Sequence, residues 1–189
     1  SRFGGEEVHT LTLMEELRKK GFETFFVGSC PVLLREFDER EFETRKVWLG
    51  KPPVTKFWLL LFTLMSPLLF LKAGRILKNA RKRWNVDTLY CLSFGEKLLM
   101  TPWALRAGMK VIWLEHARIG NWLTKNPWRI LYSRLSRKVD VVVTSRAMKK
   151  FLPFAHNVRS ITCAAIVEKP VALPQEIYDF LRGGFCVAS

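Results

Sequence analysis

The sequence predicts an α/β fold, a mostly parallel β-sheet with helices on both faces, and three observations predict it. After Asn85, strand-like and helix-like stretches alternate in regular succession. The run Val139 to Val143 is apolar apart from Asp140, as strands covered on both faces tend to be. The pair Gly4 and Gly5 stands directly ahead of a helical stretch, where a glycine-rich turn follows the first strand of such a sheet and lets backbone N–H groups approach a phosphate. The expected first strand would precede Gly4 and is missing from the chain.

Taken in order, Val8, Leu11, Met14 and Leu17 recur at helical spacing, with Lys19 and Lys20 in the last turn and Gly21 as the stop. "ETFFVGS" (Glu23 to Ser29) is a short strand of aromatic and β-branched residues. The charge-dense stretch Arg35 to Lys46 and the "GKPP" that follows read as polar connection and loop. Phe57 to Leu71 carries no charge, but fifteen residues with Pro67 among them fall short of the roughly 20 that span a bilayer, so a buried helix kinked or interrupted at Pro67 is expected. Its continuation bears Lys72, Arg75, Lys78, Arg81, Lys82 and Arg83 without an acid. That basic run reads either as a solvated helix face or as a membrane-surface patch.

Beyond Asn85 come strand "VDTLYCLS", helix "GEKLLMTPWALRAG" and strand "MKVIWLEH", then helix "NPWRILYSRLSRK" with Asn126 as cap and Pro127 at its first position. Strand "VDVVVTS" leads to a short helix "RAMKKFL" capped by Ser145, and "NVRSITC" is a further strand.

At 189 residues the chain fits one domain, long enough to bury roughly 70% of its unfolded surface. With 31 Lys and Arg against 17 Asp and Glu, its net charge of +14 favours phosphate-bearing partners: nucleic acid, anionic lipid or a nucleotide. Cys30, Cys91, Cys163 and Cys186 are widely separated, with no C-x-x-C pair, and read as reduced thiols of a cytosolic protein. There is no initiating Met and no signal peptide, and the chain stops inside the apolar "GGFCVAS", so both ends are expected to be cut.

The chemistry-bearing candidates gather at one sheet edge. "WLEHARIG" sets Glu115 and His116 at the carboxyl end of an inner strand, where open parallel sheets collect ligands. A histidine there can exchange a proton with a substrate hydroxyl, or it can tie down the loop as a structural residue. "LSFGEK" brings Ser93, Phe94, Gly95 and Glu96 to the same edge. Glu6 and Glu7 fall in a first helical turn, where the dipole favours acids. His9 and His156 are isolated and read as packing or surface residues, most of the seven Trp as core, and Trp122 and Trp128 flank a loop that could meet an apolar acceptor. G-x-G-x-x-G, H-E-x-x-H, G-x-S-x-G and P-loop signatures do not occur, which removes the usual support for nicotinamide-cofactor, metalloprotease, serine hydrolase and P-loop readings.

The order "GGEEVHTLTLMEELRKKGFETFFVGS", "DTLYCLSFGEKLLMTPWALRAGMKVIWLEHARIGNWL" and "KVDVVVTSRAMKKFL" resembles the N-terminal domain of the family-four glycosyltransferases of the GT-B fold. Gly4, Gly5 and Glu7 match a G-G-x-E start, His116 a strand-ending histidine, and Val143 to Arg146 a V-x-x-S-x junction. The resemblance implies a Rossmann-like, acceptor-side domain over residues 1–170, with 171–189 as linker and first strand of a missing donor-binding domain. It implies sugar transfer from a nucleotide-diphosphate-sugar to a sugar or lipid-linked acceptor of the cell envelope, with no metal and no other cofactor. Gly4 and Gly5 would lie against the donor diphosphate and His116 would be catalytic. The acceptor side would draw on Glu7, Ser93, Phe94, Glu96, Glu115 and Arg118. Arg75, Lys78, Arg81, Lys82 and Arg83 would face an anionic membrane surface from the cytoplasmic side. The isolated piece, having one wall of a cleft, is expected to be inactive. The reading from another class is a non-catalytic basic Rossmann-like module binding nucleic acid or an anionic surface. No recognition-helix, RRM, KH or zinc motif supports nucleic acid, and none is expected as partner.

Overall fold

The computed structural model describes residues 5–115, 123 and 125–160. Helix α1 (Gly5–Lys19) ends before Gly21, whose φ of +82° is the left-handed conformation that stops the helix. Strand β1 (Phe25–Gly28), helix α2 (Pro31–Glu39) and strand β2 (Glu43–Lys46) follow, and β1 and β2 pair in parallel. Helix α3 (Lys56–Trp84) leads to β3 (Thr88–Cys91), α4 (Phe94–Leu99), α5 (Thr101–Arg106) and β4 (Lys110–Glu115). The described part closes with α6 (Trp128–Ser136), β5 (Asp140–Val143), a 3-10 turn (Arg146–Phe151) and β6 (Val158–Ser160). Strands β3, β4, β5 and β6 lie side by side in that order, every pair parallel, so their carboxyl ends share one edge. This is the expected α/β, Rossmann-like architecture.

Alternation along β1 explains its double covering. Phe26 faces a cluster with Leu11 of α1, Leu33 and Phe37 of α2, and Phe42. Val27 faces the larger core on the other side, and Phe25 stacks on Trp84 at 4.7 Å between ring centroids. That larger core joins α3 (Phe62, Leu69, Ala73, Ile76, Leu77) to α4, α5, β4 and β5, with Trp113 and Val141 wholly buried at its centre. Gly74 lets α5 lie close to α3. A Cβ there would sit 2.6 Å from the Trp103 ring, which is held in place because Trp103 Nε1 donates to the Phe70 carbonyl.

Several expectations need correction. The stretch Arg35 to Lys46 holds the second half of α2 and all of β2. Strand β2 is Glu-Thr-Arg-Lys and mostly exposed, so it lacks the apolar alternation that marks a strand. The single helix expected over "GEKLLMTPWALRAG" is two, divided at Met100, because Pro102 in the first turn of α5 cannot donate to the preceding turn. Ser145 precedes the 3-10 turn but makes no side-chain cap. Asn126 does act as expected, its Oδ1 accepting from Trp128 N at 3.0 Å.

The largest correction concerns α3, which is neither interrupted nor buried all round. It runs through Pro67 without a break. Pro67 has no N–H to give the Thr63 carbonyl, and the Ser66 hydroxyl donates to that carbonyl instead, at 2.8 Å. Phe57, Leu60, Leu64, Leu68 and Leu71 are all more than half exposed. Apolar composition alone suggests burial all round, whereas only one face of the helix meets the core.

If Ser66 compensates for Pro67, Ser66→Ala destabilises by about 0.5–1 kcal/mol and the same change in a Pro67→Ala background costs close to nothing. A double-mutant cycle by urea denaturation measures this. Equal costs in both backgrounds would mean that the hydroxyl does not serve the orphaned carbonyl.

Candidate functional site

The shared carboxyl edge of the four-stranded sheet assembles the candidate site. At the end of β3, Ser93 caps α4: its Oγ accepts from Glu96 N at 3.3 Å, while Glu96 Oε2 accepts from Ser93 N at 3.0 Å and Leu92 N at 3.2 Å. This reciprocal capping box satisfies three backbone donors at the strand-to-helix turn. Ser93 and Glu96, named for acceptor contact, are therefore committed to holding the turn, with the Ser93 side exposed to solvent. Phe94, also named, is buried and stacks on Tyr132 with centroids 6.1 Å apart.

Glu115 closes β4, opposite Val143 of β5. Its side chain is buried among three elements. Lys97 of α4 reaches Glu115 Oε1 at 2.8 Å, and Tyr132 of α6 donates to the same oxygen at 2.8 Å. Lys97 Nζ also donates to the Leu114 carbonyl at 2.6 Å. Lys97 and Glu115 are nearly inaccessible, at 3% and 7% side-chain exposure, so each charge has exchanged water for the other. Burial pushes the Tyr132 phenol well above its usual range, and the Glu115 carboxylate beside it adds to the shift, keeping it a neutral donor. Trp113 packs on Tyr132 and donates from Nε1 to Thr101 Oγ1 at 2.9 Å. Glu115, named for acceptor contact, faces this inner network.

Lys97 and Tyr132 were not singled out in the sequence. The available signal was a lone lysine in the apolar "FGEKLLM" and a glutamate ending the apolar "VIWLE", two opposite charges on faces that must be buried. The S-x-x-E spacing of Ser93 and Glu96 likewise spells a capping box.

Of the other named residues, Gly5 opens α1 and Glu7 lies half-buried in its first turn. Gly4, His116 and Arg118 lie outside the described residues, as do Trp122 and the stretch 161–189. His9 is partly buried, which lowers its pKa, and Ser133 Oγ lies 3.2 Å from His156 Nε2. Cys30 and Cys91 are free thiols, and burial pushes that of Cys91 strongly upward, toward an inert neutral form. Among the described residues, no cluster of His, Cys, Asp or Glu is placed to hold a metal ion. Of the basic residues, Arg81 Nη1 donates to the Ala107 carbonyl at 2.8 Å and Arg83 pairs with Glu43.

The arrangement fixes the last residue of β4 rigidly, and His116 is the next residue in the chain. A family model described as Glycosyltransferase Family 4 matches residues 3–162, most of the chain and all of this edge. No curated protein matches the chain.

Two outcomes follow from the buried network. Lys97→Met strands the Glu115 charge and should cost about 3–5 kcal/mol in urea denaturation, most of it recovered in Lys97→Met/Glu115→Leu. A cost below about 1 kcal/mol would place the pair in solvent. Because the Tyr132 pKa is raised on folding, its stabilising contribution is present below the ordinary phenol value of about 10 and is lost as pH rises above it. Tyr132→Phe should flatten the stability decline above that pH, and an unchanged alkaline profile would contradict the assignment.

Proposed function

The chain belongs to glycosyltransferase family 4, and from that premise we propose that it transfers a sugar from a nucleotide-diphosphate donor to a lipid-linked or cell-envelope glycan on the cytoplasmic side of a membrane. The observation that carries the reading is the family match over residues 3–162, laid on a parallel sheet whose carboxyl edge is locked by the Lys97–Glu115–Tyr132 network.

In this reading residues 1–170 form the acceptor-side domain, and 171–189 lead toward a donor-binding domain. Gly4, together with Gly5 at the start of α1, offers backbone N–H groups to the donor diphosphate. A helix start suits a leaving group that gains negative charge as the glycosidic bond to it breaks. His116 meets the transferred sugar or the attacking acceptor hydroxyl, and proton exchange there would suit an imidazole. The buried network serves as a positioning device: it holds the end of β4 so that the next residue starts from a fixed point. Glu7 and Arg118 supply the acceptor side. The reading assigns no metal and no other cofactor, and a hexose is the group transferred.

The test is nucleotide release by purified protein, expressed from its whole gene, with UDP-, GDP- and ADP-sugars and a lipid-linked acceptor. His116→Ala should lower kcat on the order of 10²–10⁴-fold with unchanged urea stability. Parallel loss of activity and stability would make the histidine structural. Gly5→Val should raise the donor KM by crowding the diphosphate, and an unchanged KM would remove that role. No release with any donor would overturn the proposal.

A further inference from the structure

The exposed large apolar residues of α3 and three of its basic residues share one straight stripe. Phe57, Leu60, Leu64, Leu68 and Leu71 are followed at the same 3–4 spacing by Arg75, Lys78 and Lys82, all exposed. At about 100° per residue, all eight fall within an arc of about 80°. The residues α3 buries, from Phe62 to Ala80, lie on the opposite side. The stripe is thus apolar for about 21 Å and then cationic, and the helix contains no acid anywhere along its length. Arg81 and Arg83, which bond within the fold, lie off it. Arg75, Lys78 and Lys82 make no hydrogen bond or ion pair among the described residues.

By length and composition α3 could cross a membrane: it has 29 residues, and an 18-residue window of mean hydropathy 1.7 is only 17% buried. Its other face argues against crossing. Phe62, Leu69, Ala73, Ile76 and Leu77 are packed in the same core as Trp113 and Val141 of the sheet, so a spanning α3 would have to abandon that core. What remains is a helix lying flat, with its inner side in the protein and its outer side against an interface.

We infer that the outer face of α3 is a monotopic membrane-docking surface for anionic lipid. Phe57, Leu60, Leu64, Leu68 and Leu71 enter the boundary between headgroups and acyl chains, and Arg75, Lys78 and Lys82 lie on the phosphates beside it. A flat interface accepts both halves at once because they share one line on one helix. The net charge of +14 draws the whole molecule to the same surface. This extends the reading of a lipid-linked acceptor, but its test needs neither donor nor acceptor, so its failure would leave glycosyl transfer standing.

The experiment is flotation of the protein with vesicles of phosphatidylcholine alone and with 30 mol% phosphatidylglycerol, about a third of the lipid being anionic. The protein should bind the anionic vesicles and leave them in alkaline carbonate. Leu64→Asp/Leu68→Asp should abolish binding. Arg75→Ser/Lys78→Ser/Lys82→Ser should weaken it on the order of a hundredfold on anionic vesicles, at about 1 kcal/mol per charge, and little on neutral ones. Lys19→Ser/Lys20→Ser on α1 should change it by less than the α3 charges. Equal losses for the α1 and α3 charge variants would overturn the inference, as would retention in carbonate, which marks a spanning helix. So would absent vesicle binding with a dimer that Leu64→Asp dissolves, which would give the face to a second copy.

Discussion

The ion pair between Lys97 and Glu115 is the constraint on which the sheet edge depends. Two charges withdrawn from water are tolerated only when each has the other and further hydrogen bonds besides, and here the Tyr132 hydroxyl and the Leu114 carbonyl provide them. The consequence is geometric. Helix α4, strand β4 and helix α6 cannot shift independently, since moving α4 against β4 would part the two charges and moving α6 would break the Tyr132 bond to Glu115. The stacked rings of Phe94 and Tyr132 and the Trp113–Thr101 bond surround this network with side chains that have little freedom of their own.

That rigidity explains how short elements can hold a functional edge. Helix α4 has six residues, too few to be stable by propensity, and is held by its Ser93–Glu96 box at one end and by burial along most of its length. Helix α3 plays the complementary part as the long wall on which α4 and α5 rest, and the serine next to its proline keeps that wall continuous.

Much of the architecture was legible in the sequence because its signals are local. Gly21, Asn126 with Pro127, and the apolar strands after Asn85 each state their element directly. The family resemblance rested on the order of such pieces. What escaped was set by tertiary context. Strand β2 is charged because it lies mostly open to water, and α3 is apolar both where it meets the core and where it does not, so composition could not tell one face from the other. At the edge, the sequence places Ser93, Glu96 and Glu115 but does not reveal the bonds they make within the fold. Ser93 and Glu96 bond each other, Glu96 also accepts from Leu92 N, and Glu115 meets Lys97 and Tyr132; only a three-dimensional view pairs residues so far apart in the chain as Glu115 and Tyr132.

The outer face of α3 also bears on how the molecule behaves in solution. Five large apolar side chains facing water would ordinarily draw copies together, and what opposes this is mutual repulsion between molecules of charge +14. That repulsion reaches about 8 Å at physiological ionic strength and about 3 Å at 1 M. Salt therefore acts on this protein in the sense opposite to salting-in: dilute buffer keeps it dispersed, and concentrated electrolyte lets its own hydrophobic stripe decide its colloidal fate.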